Sequence, residues 1–210
     1  VSLLRRFEYL TVREKSAEEK LKTLGFHNIS TTLDPSLLLS SEEWKENIPP
    51  LTEKENYILL YNLHRNCHFG ILAKKVSQKL GLKLLRVNPL FFHFFRKGCF
   101  RLVLNPMKFL SYIHGATLVL TDSFHGSAFS LIFEKQFFSF NPGASKSRIE
   151  DLLISVGLRN RYLSDYSRWQ NCCVEDRIDY STIRPILEEQ KKRSVDSWKN
   201  ALIFSKKPVT

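Results

Sequence analysis

The sequence predicts an α/β domain: a Rossmann-like parallel sheet with helices on both faces, followed by a long C-terminal helix. Three observations carry this. Short apolar runs alternate with amphipathic stretches of about ten to fifteen residues, the rhythm of βα units around a parallel sheet. The runs NYILLYNL, TLVLTD and QFFSF are apolar without polar alternation, as strands covered on both faces are. The polar clusters VRE, TDSFHGS and NPGASKSR follow strand-like runs, and an open parallel sheet binds its ligands beyond the carboxyl ends of its strands.

Each element has its local reason. YLTVRE reads as a strand and SAEEKLKTLG as a helix, with Ser16 and Glu19 as a capping box and Gly25 as its end. ISTTLDP is a short strand closing at Asp34-Pro35, and SLLLSSEEWKEN a helix broken before Pro49-Pro50. NYILLYNL, the helix FGILAKKVSQKLG and the strand LKLLRV follow. NPLFFHFFRKGCFRLVLNP reads as a loop with a short extended piece, its aromatics packed against some surface. PMKFLSYIHGA is a helix opened by Pro106, TLVLTD a strand, SFHGSAFSLIFE a turn into a helix, and QFFSF a strand. SKSRIEDLLISVGL is an amphipathic helix ending at Gly157, and STIRPILEEQKKRSVDSWKNALIF a long one that tolerates Pro185 near its start. The expected division is a Rossmann-like domain over residues 1–178 and a terminal helix with its tail over 179–210.

Composition narrows the function. With 210 residues, 43% hydrophobic and 12% aromatic, the chain supplies a real core. No apolar run reaches the roughly 18 residues of a spanning helix, and the apolar, basic start VSLLRRFEYL lacks a signal-peptide core and cleavage site. Cys67, Cys99, Cys172 and Cys173 form no CxxC pair, which predicts free thiols in a reducing cytosol. HRNCH gathers His64, Cys67 and His68, but at no standard zinc spacing, and no metal is expected. The formal charge of +11 attracts phosphates or anionic surfaces. It is dispersed, with aromatics confined to apolar segments, which argues against nucleic acid as partner.

If the strands ending in the three polar clusters are neighbours, Arg13, Ser123, His125, Lys146 and Arg148 line one anion-binding cleft. Gly126, Ser127 and Ala128 keep the first turn after TLVLTD small, so that a ligand can approach its N–H groups, where the helix dipole favours negative charge. His125 is placed there to donate to an anion and to exchange a proton near neutral pH, or else to cap the helix. Arg13 has the alternative of a surface pair with Glu14, Lys146 and Arg148 that of solvated residues, and Asp34 and Asp122 that of turn-forming caps.

With those residues in view, the chain resembles the polysaccharide pyruvyl transferase family. The resemblance rests on Val12-Arg13-Glu14, on DPSLLLSSEEW from Asp34 to Trp44, on TDSFHGSAFSLIFEKQFF from Thr121 to Phe138 and on SRIEDLLISVGLRNR from Ser147 to Arg161. It implies a fold like the C-terminal half of a GT-B glycosyltransferase, with the returning terminal helix. The N-terminal half would lie outside this chain, and NALIF and FFHFF would be the surface it covers. It further implies transfer of the enolpyruvyl group of phosphoenolpyruvate to two hydroxyls of a sugar, giving a pyruvate ketal, with no cofactor and no metal. The acceptor would belong to a bacterial surface polysaccharide or its lipid-linked precursor, with the enzyme cytoplasmic and in peripheral contact with the inner face of the membrane. By motif, His125 would be the catalytic acid or a phosphate ligand and Arg13 the donor clamp, with Ser123, Gly126, Ser127, Lys146 and Arg148 as donor-binding residues. Other branches of the family carry Arg where Ser123 stands, and Lys146 or Arg148 would replace that charge. The competing readings are a GT-B glycosyltransferase using a nucleotide sugar, for which no ribose-reading carboxylate stands out, and a truncated, non-catalytic binding domain.

Overall fold

The computed structural model describes residues 2–51, 53, 55–64, 67–88, 99–140, 146–164, 174 and 176–204. The chain separates into two compact units, residues 1–38 with 180–210, and residues 39–179.

The larger unit is a six-stranded sheet of β3 (Tyr57–Tyr61), β4 (Lys83–Asn88), β5 (Cys99–Leu102), β6 (Leu118–Thr121), β7 (Gln136–Phe140) and β8 (Tyr162–Leu163). Their spatial order is β5-β4-β3-β6-β7-β8, every pair parallel. Leu59 stands opposite Leu85 on one side and Val119 on the other. Residues 57–60 and 118–121 are buried throughout, which is why those runs show no alternation. One core cluster packs Phe69, Leu72 and Val76 of α3 (Cys67–Leu80) onto Leu60, Leu120 and Phe140 of the sheet.

Helix starts follow local capping chemistry. The Asn105 side chain accepts from Met107 N–H at 2.8 Å and Pro106 takes the first position of α4 (Pro106–Gly115). Ser123 caps α5 (Phe124–Ile132), while α6 (Lys146–Ser155) is followed by Gly157 at φ +76°. The stretch expected as one helix after Asp34 is two pieces. Asp34 caps a 3-10 turn over Pro35–Leu37, and Ser40 then starts α2 (Ser41–Lys45) with a reciprocal capping box to Glu43. Trp44 of α2 packs edge-on against Phe129 of α5, ring centres 5.0 Å apart. Within the segment expected as a loop, residues 99–102 form the edge strand β5, pairing Leu85 with Cys99. FFHFF, Cys172 and Cys173 lie outside the described residues, as does the Cys67 side chain, and Cys99 is an exposed free thiol.

The smaller unit holds the parallel pair β1 (Leu10–Val12) and β2 (Ile29–Thr31), joined through α1 (Lys15–Thr23), and the terminal helix α7 (Tyr180–Phe204). The expected capping box at Ser16 and Glu19 does not form. The helix begins two residues earlier than that cap requires, with Glu14 at its N-cap and Ser16 inside the first turn, where Glu18 instead bonds Lys22 at 2.5 Å and the Thr31 hydroxyl. Gly25, at φ +80°, closes α1 as expected. The division of the chain also differs from the expected boundary at 178/179. Ser194 of α7 accepts the Leu33 N–H at 2.9 Å, and Ser197 hydrogen-bonds Ser30 at 2.5 Å, so α7 belongs with β1, α1 and β2. Leu202 and Ile203 near its end are exposed. No helix among the described residues is long and apolar enough to cross a membrane.

Candidate functional site at the β3/β6 switch point

Successive strands from β3 run outward to β5, and the chain then returns to lay β6 on the other side of β3. The crevice at a ligand-binding switch point therefore opens beyond the ends of β3 and β6. Tyr61 and Thr121 are opposite each other at those ends, followed by Asn62-Leu63-His64 and by Asp122-Ser123-Phe124-His125.

After β6 the Ser123 hydroxyl accepts the Gly126 N–H at 3.4 Å and caps α5, the role weighed above for His125. His125 is exposed in the first turn, its ring edge-on to Phe124 with centres 5.4 Å apart. Arg148, in the first turn of α6, places its guanidinium 4.4 Å from the centre of the Phe124 ring. The second and third polar clusters thus meet, with Ser123, His125 and Arg148 around one helix start. Lys146 opens α6, its side chain lying outside the described residues.

Gly126 and Ser127 have packing reasons beside the ligand approach expected for them. A Cβ on Gly126 would lie 2.9 Å from Thr121 Cβ and 3.1 Å from its Cγ2, so the glycine lets α5 approach β6. Ser127 is fully buried, donates to the Ser123 carbonyl at 3.0 Å and meets the Ser139 hydroxyl at 2.7 Å.

Asp122 does more than shape a turn. Its side chain is fully buried, and its carboxylate accepts N–H bonds from Leu63 at 2.7 Å and His64 at 3.1 Å, with the Asn62 amide at 3.4 Å. His64 Nδ1 lies 3.2 Å from the same carboxylate, on a side chain 46% exposed. Asn88 at the end of β4 donates to the Asn62 carbonyl at 2.5 Å, extending the polar network across three strand ends. Burial and the Asp122 carboxylate push the Tyr61 phenol up. The sequence places His64 in HRNCH, where no metal is expected; its signal is a histidine three residues beyond the end of β3, without meaning until β6 lies beside β3.

Arg13 lies in the smaller unit, where it pairs with Asp34 at 2.5 Å rather than with Glu14. Asp34 also accepts from the Ser36 N–H at 3.1 Å and its hydroxyl at 2.8 Å. Burial alone would push its carboxyl up, but the bonds from Ser36 and Arg13 outweigh burial and hold it below the usual range. A folded value below the unfolded one stabilises the protein above the unfolded value of about 3.9 and is lost as pH falls through the folded value. The stability gap between wild type and Asp34→Asn, from urea midpoints, is therefore expected to be largest at neutral pH and to shrink below about pH 4; a gap constant down to pH 2 would contradict this.

These geometries join the VRE segment to the DP segment, and Trp44 to the helix that carries His125. The sequence model of the polysaccharide pyruvyl transferase family matches residues 1–143, a stretch that contains all three motifs. The chain belongs to the polysaccharide pyruvyl transferase family. The match ends short of Arg148 and of the 147–161 segment. No curated protein matches the chain by sequence. Among solved structures it is similar to the UDP-GlcNAc 2-epimerase of Methanocaldococcus jannaschii in complex with UDP-GlcNAc and UDP, at 13% identity and a TM-score of 0.52, over 91% of this chain and 61% of that one. It is also similar to the UDP-N-acetylglucosamine 2-epimerase of Rickettsia bellii, at 14% identity and a TM-score of 0.57, over 96% and 62%. The likeness shows a Rossmann-like fold of the GT-B type, and the chain spans about three fifths of the length of each neighbour.

Proposed function

We propose that this family member carries the donor site of a ketal pyruvyl transferase, which moves the enolpyruvyl group of phosphoenolpyruvate onto two hydroxyls of one sugar. The acceptor is a sugar of a bacterial surface polysaccharide or its lipid-linked precursor, met at the cytoplasmic face of the membrane, where the charge of +11 favours peripheral contact with anionic lipid. The reading needs no cofactor.

The observation that carries it is the helix start at the end of β6, with exposed His125 beside the Phe124–Arg148 stack. Phosphoenolpyruvate brings a carboxylate and a phosphate, and a helix N-terminus with a guanidinium beside it offers the complementary field. Stacking on Phe124 fixes the guanidinium plane, so little entropy is lost when it takes an anion. The addition needs a proton at the methylene carbon and charge stabilisation at the carbon beside it. His125 is the proposed acid, with Arg148 and Lys146 as donor ligands supplying the charge that Ser123 lacks. Ser123 shapes the site by capping, and Gly126 and Ser127 offer the donor no more than the first-turn backbone. Arg13 is proposed as a donor ligand from its place in the VRE motif, oriented by Asp34.

Calorimetric titration with phosphoenolpyruvate at low salt tests this, with His125→Ala, Arg13→Ala and UDP as a control ligand. Saturable binding to wild type is expected, weakened about tenfold or more in each variant, a loss on the scale of one charge-assisted bond. A folded wild type that binds UDP and not phosphoenolpyruvate would overturn the proposal.

A further inference from the structure

We infer that His64, positioned by the buried Asp122, is a second catalytic histidine of the proposed reaction, taking the proton of the sugar hydroxyl while His125 serves the donor carbon. The inference rests on the proposed function. Its own basis is the Asp122–His64 pair at the switch point, the Nδ1 to carboxylate distance being 3.2 Å.

A carboxylate 3.2 Å from Nδ1 favours the proton on that nitrogen, which leaves Nε2 of the neutral ring as the proton acceptor. Asp122 cannot turn away, because Leu63 and His64 N–H and the Asn62 amide hold it and its side chain is fully buried. His64 follows β3 and His125 follows β6, and these strands are adjacent and parallel. The two histidines therefore flank the crevice from its two sides.

Ketal formation moves two protons, and two histidines account for both. In the first step a sugar hydroxyl oxygen bonds to C2 of phosphoenolpyruvate and its proton passes to His64 Nε2. The C2–C3 double-bond pair takes a proton from His125 at C3, which becomes the methyl group. In the second step the bond from C2 to the phosphate oxygen breaks, and phosphate leaves with the proton held by His64. The second hydroxyl bonds to C2 and gives its proton to His125. Both histidines return to their starting states, and the products are the ketal and phosphate.

Two measurements on the full protein test this. Two-bond proton–nitrogen spectra of histidine-labelled protein are expected to show neutral His64 as the Nδ1–H tautomer, and the Nε2–H tautomer would overturn the inference. Phosphate release from phosphoenolpyruvate, with methyl hexopyranosides bearing free 4,6-diols as acceptor probes, is to be compared between wild type and His64→Asn. Asparagine keeps a donor for Asp122 and lacks Nε2, so a merely structural role is preserved and a catalytic one is not. The expected result is unchanged thermal stability, phosphoenolpyruvate affinity within about twofold, and a kcat lower by about 100-fold, the usual scale of a general base. A His64→Asn kcat within threefold of wild type would overturn this assignment and leave the pyruvyl transferase reading standing. A wild type that does not bind phosphoenolpyruvate would overturn both.

Discussion

Asp122→Ala is expected to destabilise the unit of residues 39–179 by about 2–3 kcal/mol, since it leaves two half-buried backbone donors without their acceptor, each at a cost of about 1 kcal/mol or more. The carboxylate accepts two backbone N–H groups just beyond β3 from a position just beyond β6. Those two donors then have no ladder to return to, because β3 has ended at Tyr61. Asp122→Asn keeps one oxygen in place and is expected to lose about half as much. Urea midpoints supply the energies, and hydrogen exchange supplies the location. The Leu63 and His64 amides should lose protection in Asp122→Ala before the centre of β3 does. An alanine variant within 1 kcal/mol of wild type would mean that water satisfies the loop as well as the carboxylate does.

Gly126→Ala is expected to cost about 3 kcal/mol, near the upper end of overpacking penalties. The added methyl meets Thr121, a stiff β-branched residue with no exposure on a strand paired on both sides, and neither partner has a flexible end that can yield. Thr121→Ala removes Oγ1 and Cγ2 and leaves Cβ, 2.9 Å from the added methyl, so the double variant should recover part of the loss, beyond additivity by about 1 kcal/mol. If Gly126 instead serves ligand approach, the double variant would be stable and yet bind phosphoenolpyruvate poorly. Stability measured beside donor titration separates the two roles.

The candidate site was legible in part. His125 was conspicuous because a polar turn between two apolar runs is visible within a few residues, and Arg148 because it follows the next strand at a helix start. Gly126 and Ser127 looked functional in the linear sequence because small residues at a helix start serve ligand approach and close packing alike. Thr121 and Ser139, placed against them by the sheet, supply the packing reason, which the linear sequence does not show. His64 stands out in the sequence only as a zinc ligand at the wrong spacing, because the residue that gives it a role, Asp122, is 58 positions away.

What the sequence determined by itself is what depends on neighbours within one or two turns. That covers the βα alternation and hence the parallel sheet, the Pro106 helix start, the glycine ends at Gly25 and Gly157, and the buried character of β3 and β6. Dihedral preference, capping and periodicity act locally, so they can be read locally. The tertiary structure alone decided the strand order β5-β4-β3-β6-β7-β8, the Asp122–His64 and Arg13–Asp34 pairs, and the union of α7 with β1, α1 and β2. Those contacts form when burial brings distant segments together and hydrogen bonds between them replace lost water, a selection over long-range pairings that leaves no periodic trace along the chain.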